Sequence, residues 1–578
     1  MKTTLEGFDN RAKRGCSKPS MGIFQELIME LAEKQLTKEE LNRLKIRLCK
    51  KYSVKRIPTD IDIMMHATPS ESVRLVTKPI RSASGIVPVA VMVSPASCRH
   101  GRCIYCPGGP DSAFGSVPQS YTGREPAAMR AARCNYDPYL QVFSRLEQYS
   151  ASGHAVNKAE LIIMGGTFPS RRPGYQDRFV ALSLKALNDF STRFIAGDGN
   201  LRISRFKEFF LLPGSLQDRA RVRRISCRLK AMKGRARLNA EQGRNKHSRV
   251  RCVAMCIETR PDFCREQHIN QMLRLGTTRV ELGVQSLHND VLKKIRRGHS
   301  VDDVVNATAL MKDSLLKVGY HIMPGLPGSD VERDKAMFRQ LFDDNHFRPD
   351  ALKIYPCMVM RGTRLYDMWR KGWYKPLTTS EAAELICSLK ERIPEYCRIM
   401  RIQRDIPTKC TEAGVDMTNL RQHVASLMRE KGIKCRCIRC RQPRPGEVVS
   451  IDDAKVRADK YEASGSVEYF ISAEYKDRLF GFCRLRLPAR PFRPEIKRGS
   501  AGIRELHVYS EALPIGARSS SSAQHQGLGM ALVREAERIA REELDARSML
   551  VISGIGAREY YRKKLGYRKC GAYMKRGL

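Results

Sequence analysis

Hydrophobic residues in the middle of the chain fall in short continuous runs, separated by longer amphipathic stretches. Six runs stand out, at 87–93, 161–164, 253–258, 280–284, 318–323 and 352–357. Continuous apolar runs of this length suit strands buried on both faces, as in parallel sheets, and each is followed by enough chain for a crossover helix. The repeat, from about residue 80 to 395, predicts an open (β/α)6 partial barrel. Ahead of it, helical spacing predicts helices over 23–31 and 36–51, and Thr37 with Glu40 three residues on forms a capping box for the second. After about 455 the pattern turns to shorter alternating strands at 467–473, 478–487 and 503–509, a helix over 531–543 and a strand over 549–553, a second α/β unit. Two stretches carry no such period. Residues 201–251 hold sixteen Lys or Arg against three acidic residues and predict a basic insertion or extended loop, and 396–454 predicts a linker.

The chain therefore divides into a basic helical region at 1–80, the barrel at 81–395, the linker at 396–454 and the second α/β domain at 455–578. At 578 residues several cores are required, and 42% hydrophobic residues supply them. Lys and Arg total 104 against 61 Asp and Glu, a net charge of +43, so the expected partner is a polyanion. No apolar run approaches 18 residues and the first thirty residues lack a signal-peptide core, which favours nucleic acid over membrane and a cytoplasmic location. The basic helix at 36–51, continuing into Lys55 and Arg56, is a candidate phosphate contact. Nineteen cysteines without a secretory signal point to metal ligation and free thiols rather than disulfides.

The chemistry concentrates at Cys98-Arg99-His100-Gly101-Arg102-Cys103-Ile104-Tyr105-Cys106, a C-x4-C-x2-C loop at the carboxyl end of the first strand. Iron–sulfur cubanes normally take four thiolates, so three leave one iron open to a small molecule. A zinc knuckle short of a ligand, or three structural thiols, is the plainer alternative. Other strands end in residues suited to the same rim: Gly165-Gly166-Thr167, Glu258-Thr259-Arg260, Gln285-Ser286 and Pro324-Gly325-Leu326-Pro327-Gly328. A second thiol group, Cys435, Cys437 and Cys440, has the tight spacing of a zinc site that would staple the linker; His423 is a candidate fourth ligand and a second iron–sulfur cluster the alternative. Near the C-terminus, Gln524-His525-Gln526-Gly527-Leu528-Gly529-Met530 opens a helix, where backbone N–H groups and the positive helix end can cradle a pyrophosphate. Tyr560 and Tyr561 follow downstream, either packed or available to protonate a departing thiolate.

The thiol loop resembles that of the radical S-adenosylmethionine (SAM) superfamily, and the Q-x-x-G-x-G stretch with its Tyr-Tyr-Arg-Lys-Lys-Leu-Gly-Tyr ending resembles GNAT acetyltransferases. Joined with residues 77–85, Cys106-Pro107-Gly108-Gly109-Pro110-Asp111-Ser112, Ser120-Tyr121-Thr122-Gly123 and Ile257-Glu258-Thr259-Arg260-Pro261-Asp262, the chain resembles the catalytic subunits of Elongator, which modify the tRNA wobble uridine. The short gap between Cys98 and Cys103 is similar to archaeal members. The resemblance implies that Cys98, Cys103 and Cys106 bind a 4Fe-4S cluster and that Gly165, Gly166 and Gln285 hold SAM. It implies that Lys158, Glu505, Leu506, His507, Val508, Gln524, Gln526, Gly527, Leu528, Gly529, Met530 and Tyr561 contact acetyl-CoA. Zinc at Cys435, Cys437 and Cys440 completes the expected cofactors. A 5'-deoxyadenosyl radical would take a hydrogen from the acetyl methyl, and the new carbon radical would add to C5 of uridine 34, leaving a carboxymethyl group. The implied partners are a tRNA anticodon stem-loop, an electron donor, and either a second copy or Elongator-like accessory subunits. Two other functions fit parts of the sequence: a protein lysine acetyltransferase with a structural iron–sulfur domain, and a tRNA-binding scaffold.

Overall fold

The structure, a computed structural model, describes residues 22–34, 36, 38–54, 57–66, 85–214, 218–443, 453–509 and 527–578. Thr37, Lys55, Arg56, residues 67–84 and residues 510–526, with Gln524 and Gln526, lie outside the described residues.

The six apolar runs form strands β1 (Val87–Met92), β4 (Lys158–Met164), β5 (Arg251–Thr259), β6 (Arg279–Gln285), β7 (Lys317–Ile322) and β8 (Ala351–Ile354); a short hairpin, β2 (Gly109–Ser112) and β3 (Gly115–Val117), follows the thiol loop. They lie side by side in chain order, all parallel, and a seventh strand, β9 (Arg398–Ile402), extends the sheet into the stretch read as linker. Because β1 and β9 are edges that do not pair with one another, the curled sheet is a half-barrel open along one side. Alternate side chains point inward, as the pleat requires. On β6 these are Arg279, Glu281, Gly283 and Gln285, and they line one cavity of about 660 Å³ with Glu160, Ile162 and Met164 of β4.

The stretch 201–251 is not an extended loop. It folds into three helices, Ile203–Phe210, Arg219–Lys233 and Leu238–Asn245, joining the barrel core through Phe206, Phe209, Phe210, Ile225, Leu229 and Leu238. The apolar anchors are few and widely spaced among arginines, which hides the helical period. At the N-terminus, Ile23–Glu33 and Lys38–Lys51 are joined by a third helix, Asp60–His66, around Leu27, Ile28, Leu44, Leu48 and Ile63. Lys51 in this bundle is paired with Glu26 at 2.7 Å.

The C-terminal sheet orders β10 (Lys455–Ala463), β11 (Ser466–Tyr475), β12 (Arg478–Arg486), β13 (Ser500–Val508), β14 (Ser548–Ile552), β16 (Tyr573–Gly577) and β15 (Arg568–Cys570). One face of this sheet lies across the amino ends of the barrel strands, and the contact is ionic. Arg504 donates to Glu468 at 2.8 Å and also pairs with Asp350, just before β8. Arg486 joins Asp313 at 2.6 Å and Glu468 at 2.9 Å, while Arg484 reaches Glu505 at 2.9 Å. Lys312 and Lys317 complete the network against Glu468 and Glu505. Arg484, Arg486 and Arg504 are among the largest fully buried side chains. Burial alone would raise the carboxyl pKa values, but Arg504, Lys312 and Arg486 hold Glu468 at about 2, and Lys317 and Arg484 hold Glu505 there too. A depressed carboxyl contributes stability that is complete above its ordinary pKa of 4.5 and drains away as pH falls toward 2. Urea unfolding should therefore show stability falling steeply between about pH 5 and about pH 3.

Candidate active site: a thiol loop and an acyl-binding strand

The thiol loop leaves β1 at the carboxyl rim of the half-barrel and is pinned on both sides: the Ile104 amide donates to Ile295 O at 3.2 Å, and its carbonyl accepts from Leu365 N at 2.9 Å. Cys103 and Cys106 are buried and Cys98 half-buried, and all three line the 660 Å³ cavity. Burial, then the neighbouring thiols Cys106 and Cys103, pushes the Cys98 thiol up to about 11. Burial, then Cys103, likewise raises the Cys106 thiol, and a bound cation reverses such shifts. Donors already face the sulfurs. Ser120 N donates to Cys106 Sγ at 3.3 Å, Arg297 Nη1 to Cys103 Sγ at 3.7 Å, and His100 Nε2 lies 3.3 Å from Cys103 Sγ. Gly108 is obligatory, since a Cβ there would meet Pro118 O at 2.2 Å.

Around the same rim, Gly165 and Gly166 close β4 with φ of +109° and +108°, and Gln285 closes β6 with φ of +73°. Gly166 and Gln285 line the cavity, and Gln285 Oε1, Thr259 Oγ1, Arg260 Nη1 and Tyr105 Oη are buried with no partner among the described residues. Orphaned polar atoms on a cavity wall fit a polar ligand that supplies the missing partners. The donor set thus suits an iron–sulfur cluster with a polar cofactor on its open iron.

The second site lies in the C-terminal sheet. β13 pairs with β14 only over its first half, Ser500 to Ile503 against Ser548 to Val551, so residues 504–508 leave β14. Gly527, with φ of +84°, caps the helix Leu528–Glu542 beside this split. A Cβ on Gly529 would lie 3.0 Å from Tyr560 Oη, 3.7 Å from Val508 and 3.9 Å from Leu506. The helix start, the splayed strand and Tyr560 thus converge on one spot, while Tyr561 is buried in the sheet core with burial holding its phenol well above its ordinary pKa. His507, its pKa lowered to about 3 by burial, lies between Phe482 and Tyr509.

The sequence matches the Radical SAM superfamily over residues 92–341, the Radical SAM C-terminal domain over 349–430, the ELP3 N-terminal domain over 20–83 and the acetyltransferase (GNAT) family over 436–567. It is 45% identical over 571 residues to the tRNA uridine(34) acetyltransferase of Methanocaldococcus infernus, covering 96% of this chain and 98% of the relative. It is 40% identical over 550 residues to Elongator complex protein 3 of Homo sapiens, covering 93% of this chain and 92% of that one. The chain belongs to the Elongator complex protein 3 family. The solved structure of archaeal Methanocaldococcus infernus Elp3 lacking its N-terminus superposes with a TM-score of 0.68 at 42% identity, over 86% of this chain and all (100%) of that one.

Within this Elongator-family fold, the expected residues divide between two rims. Cys98, Cys103, Cys106, Gly166 and Gln285 share the carboxyl-end cavity, with Gly165 adjoining. Lys158 is the first residue of β4, at the opposite, amino end, beside its register partner Arg251; burial, then that guanidinium, lowers its pKa. It is among the cations that bear on His507. The Glu505 carboxylate is taken by Lys317 and Arg484. Cys435, Cys437 and Cys440 bring their sulfurs within 4.8 Å of one another, and Lys390, rather than His423, donates to Cys440 Sγ at 3.5 Å. Sequence reasoning missed Arg297, which faces Cys103, and the inward residues Glu281, His321 and Lys353 of β6, β7 and β8. The only local signal for these three is a polar residue in an apolar run.

Proposed function

We propose that this chain modifies the wobble uridine, U34, of tRNA, using SAM and acetyl-CoA to build a 5-carboxymethyl group. The observation that carries the reading is that one half-barrel bears both a three-thiol loop with a ligand-sized cavity and, against its amino ends, a sheet whose strand β13 splits from β14 beside a helix start. When bound, a 4Fe-4S cluster on Cys98, Cys103 and Cys106 with SAM supplies the radical that activates the acetyl methyl for bonding to uridine C5. The protein's own part is positioning. Gly165, Gly166 and Gln285 hold SAM; the amides of 527–530, with the backbone of Glu505, Leu506, His507 and Val508, hold acetyl-CoA; Lys158 approaches it from the barrel. Gln524 and Gln526, outside the described residues, are assigned to acetyl-CoA from the Q-x-x-G-x-G sequence alone. Tyr560, at the point of convergence, is the better proton donor to the departing thiolate; Tyr561 packs beneath it. The domain division at 1–80, 81–395, 396–454 and 455–578 stands as part of the proposal, with β9 shared between barrel and linker.

The tRNA substrate is taken by the anticodon stem-loop, and the wobble base must leave its stack to reach the cavity. No helix of the described residues is long and apolar enough to cross a membrane. A cytoplasmic location, an electron donor, and a second copy or Elongator-like subunits complete the reading. Labelled acetyl-CoA offered with tRNA and with protein separates this function from lysine acetylation: label should enter RNA only when SAM and a reductant are present. Label entering lysine and never RNA contradicts it.

Zinc at Cys435, Cys437 and Cys440 is the finer proposal for the linker. Structural zinc contributes its binding energy to folding. Chelation, or Cys437→Ala, should lower the unfolding temperature and release about one zinc per chain; unchanged unfolding with no metal released would remove zinc from the account.

A further inference from the structure

Adding a carbon radical to C5 of uracil leaves C5 carrying both its own hydrogen and the new carbon, with an unpaired electron at C6. The 5,6 double bond returns only when this adduct loses one electron and the C5 proton. A cluster held by Cys98, Cys103 and Cys106 would be one electron short after cleaving SAM and would supply the electron acceptor; the proton needs a base. We infer that His321 accepts the C5 proton, held in the working tautomer by Glu281. This inference rests on the U34 reading above.

His321 sits on β7 and Glu281 on the neighbouring β6, both lining the cavity, with His321 Nε2 2.8 Å from Glu281 Oε2. An ionised carboxylate only accepts, so Nε2 carries the hydrogen and the lone pair lies on Nδ1. Burial works against the Glu281 charge, but Lys353, Arg279 and His321 hold its pKa well below the ordinary value. Burial, then the Lys353 ammonium, lowers the His321 pKa, which keeps the imidazole unprotonated, with its lone pair free to take a proton, near pH 7. Of the other bases on the wall, Glu125 accepts from Thr122 through Oε1 and keeps Oε2 unpartnered, without the paired acid that fixes a proton acceptor at His321, and the rest are engaged. Glu160 is paired with Arg279, Glu258 with Lys353 and Tyr121, and Asp405 with Arg401, while His100 is set against Cys103 in the thiol loop. Glu258, Glu281 and His321 are also spaced as metal ligands, but the Lys353 ammonium bridges the two carboxylates and takes the cation's place.

The test measures 5'-deoxyadenosine and modified U34 together in the holoenzyme with SAM, acetyl-CoA and tRNA. His321→Gln should keep 5'-deoxyadenosine formation within about a factor of two, while modified uridine per 5'-deoxyadenosine falls by about a hundred-fold. His321→Ala should recover part of that ratio when imidazole is added, which a merely structural role would not allow. The wild-type protein carries the test independently of how the variants fold. The groups facing His321 are Glu258 on β5, Glu281 on β6, itself paired with Arg279, and Lys353 with Tyr355 on the β8 side. Acidifying through the imidazole pKa should lower the ratio while 5'-deoxyadenosine continues to form. An unchanged ratio in His321→Gln, a ratio flat with pH, or loss of SAM cleavage in the variant overturns the assignment. Wild-type protein that makes 5'-deoxyadenosine and never modified uridine sinks the U34 reading, and the base assignment with it.

Discussion

Cys103→Ala should abolish both SAM cleavage and U34 modification, a loss of at least about a thousand-fold, or about 4 kcal/mol of transition-state stabilisation. Alanine offers no ligand, and two thiolates do not hold a cubane that ordinarily takes four protein donors. The effect is expected to be local, because the loop is anchored by backbone bonds at Ile104 and not by the sulfur. Iron content and the cluster's visible absorption should fall with activity, while thermal unfolding of the C-terminal sheet stays near wild type. Arg297 and His100, which face Cys103, would then confront an empty corner. Full activity in Cys103→Ala, or a normal iron content, would remove the thiol loop from the chemistry.

Asp350→Ala should destabilise the protein by about 3–5 kcal/mol, the cost of leaving a buried charge without its partner. Asp350 is 1% exposed and faces Arg504 and Arg484, both fully buried, so neither guanidinium can turn to water. The contrast is Arg538, whose partners Glu535 and Glu542 lie on the solvent face of the same helix; Arg538→Ala should leave stability close to wild type. Because Asp350 precedes β8 and Arg504 lies on β13, the loss also loosens one of the contacts, beside Lys317–Glu505, that fix β13 against the barrel. Denaturant unfolding of the two variants, alongside the acetyl-CoA dependence of Asp350→Ala, checks both statements. Equal stability of the two variants would show that the buried network is not what joins the domains.

The sequence disclosed what has a local signature. Six parallel strands were legible because a strand buried on both faces keeps an apolar run even where single polar residues point into the cavity, and the thiol loop because metal ligands cluster in sequence. β9 was not, since Arg-Ile-Met-Arg-Ile spaces its arginines three apart and so shows neither a continuous apolar run nor a period of two; Arg398 reaches Tyr509 and Arg401 lines the cavity. The helices of 201–251 were hidden by sparse apolar anchors among basic residues. Long-range polar partners have no local signature at all: His321 meets Glu281 across 40 residues, and Arg504 meets Asp350 across 154. The strand register that aligns His321 with Lys353, and the packing of one sheet across another, create those sites.

The most direct measurement uses acetyl-CoA deuterated in its acetyl methyl, with SAM, a reductant and tRNA under anaerobic conditions. The account predicts one deuterium in the 5'-deoxyadenosine released and the remaining two in a carboxymethyl group on U34, both seen by mass spectrometry. Deuterium absent from 5'-deoxyadenosine, with all three retained in an acetyl group on lysine, would contradict it.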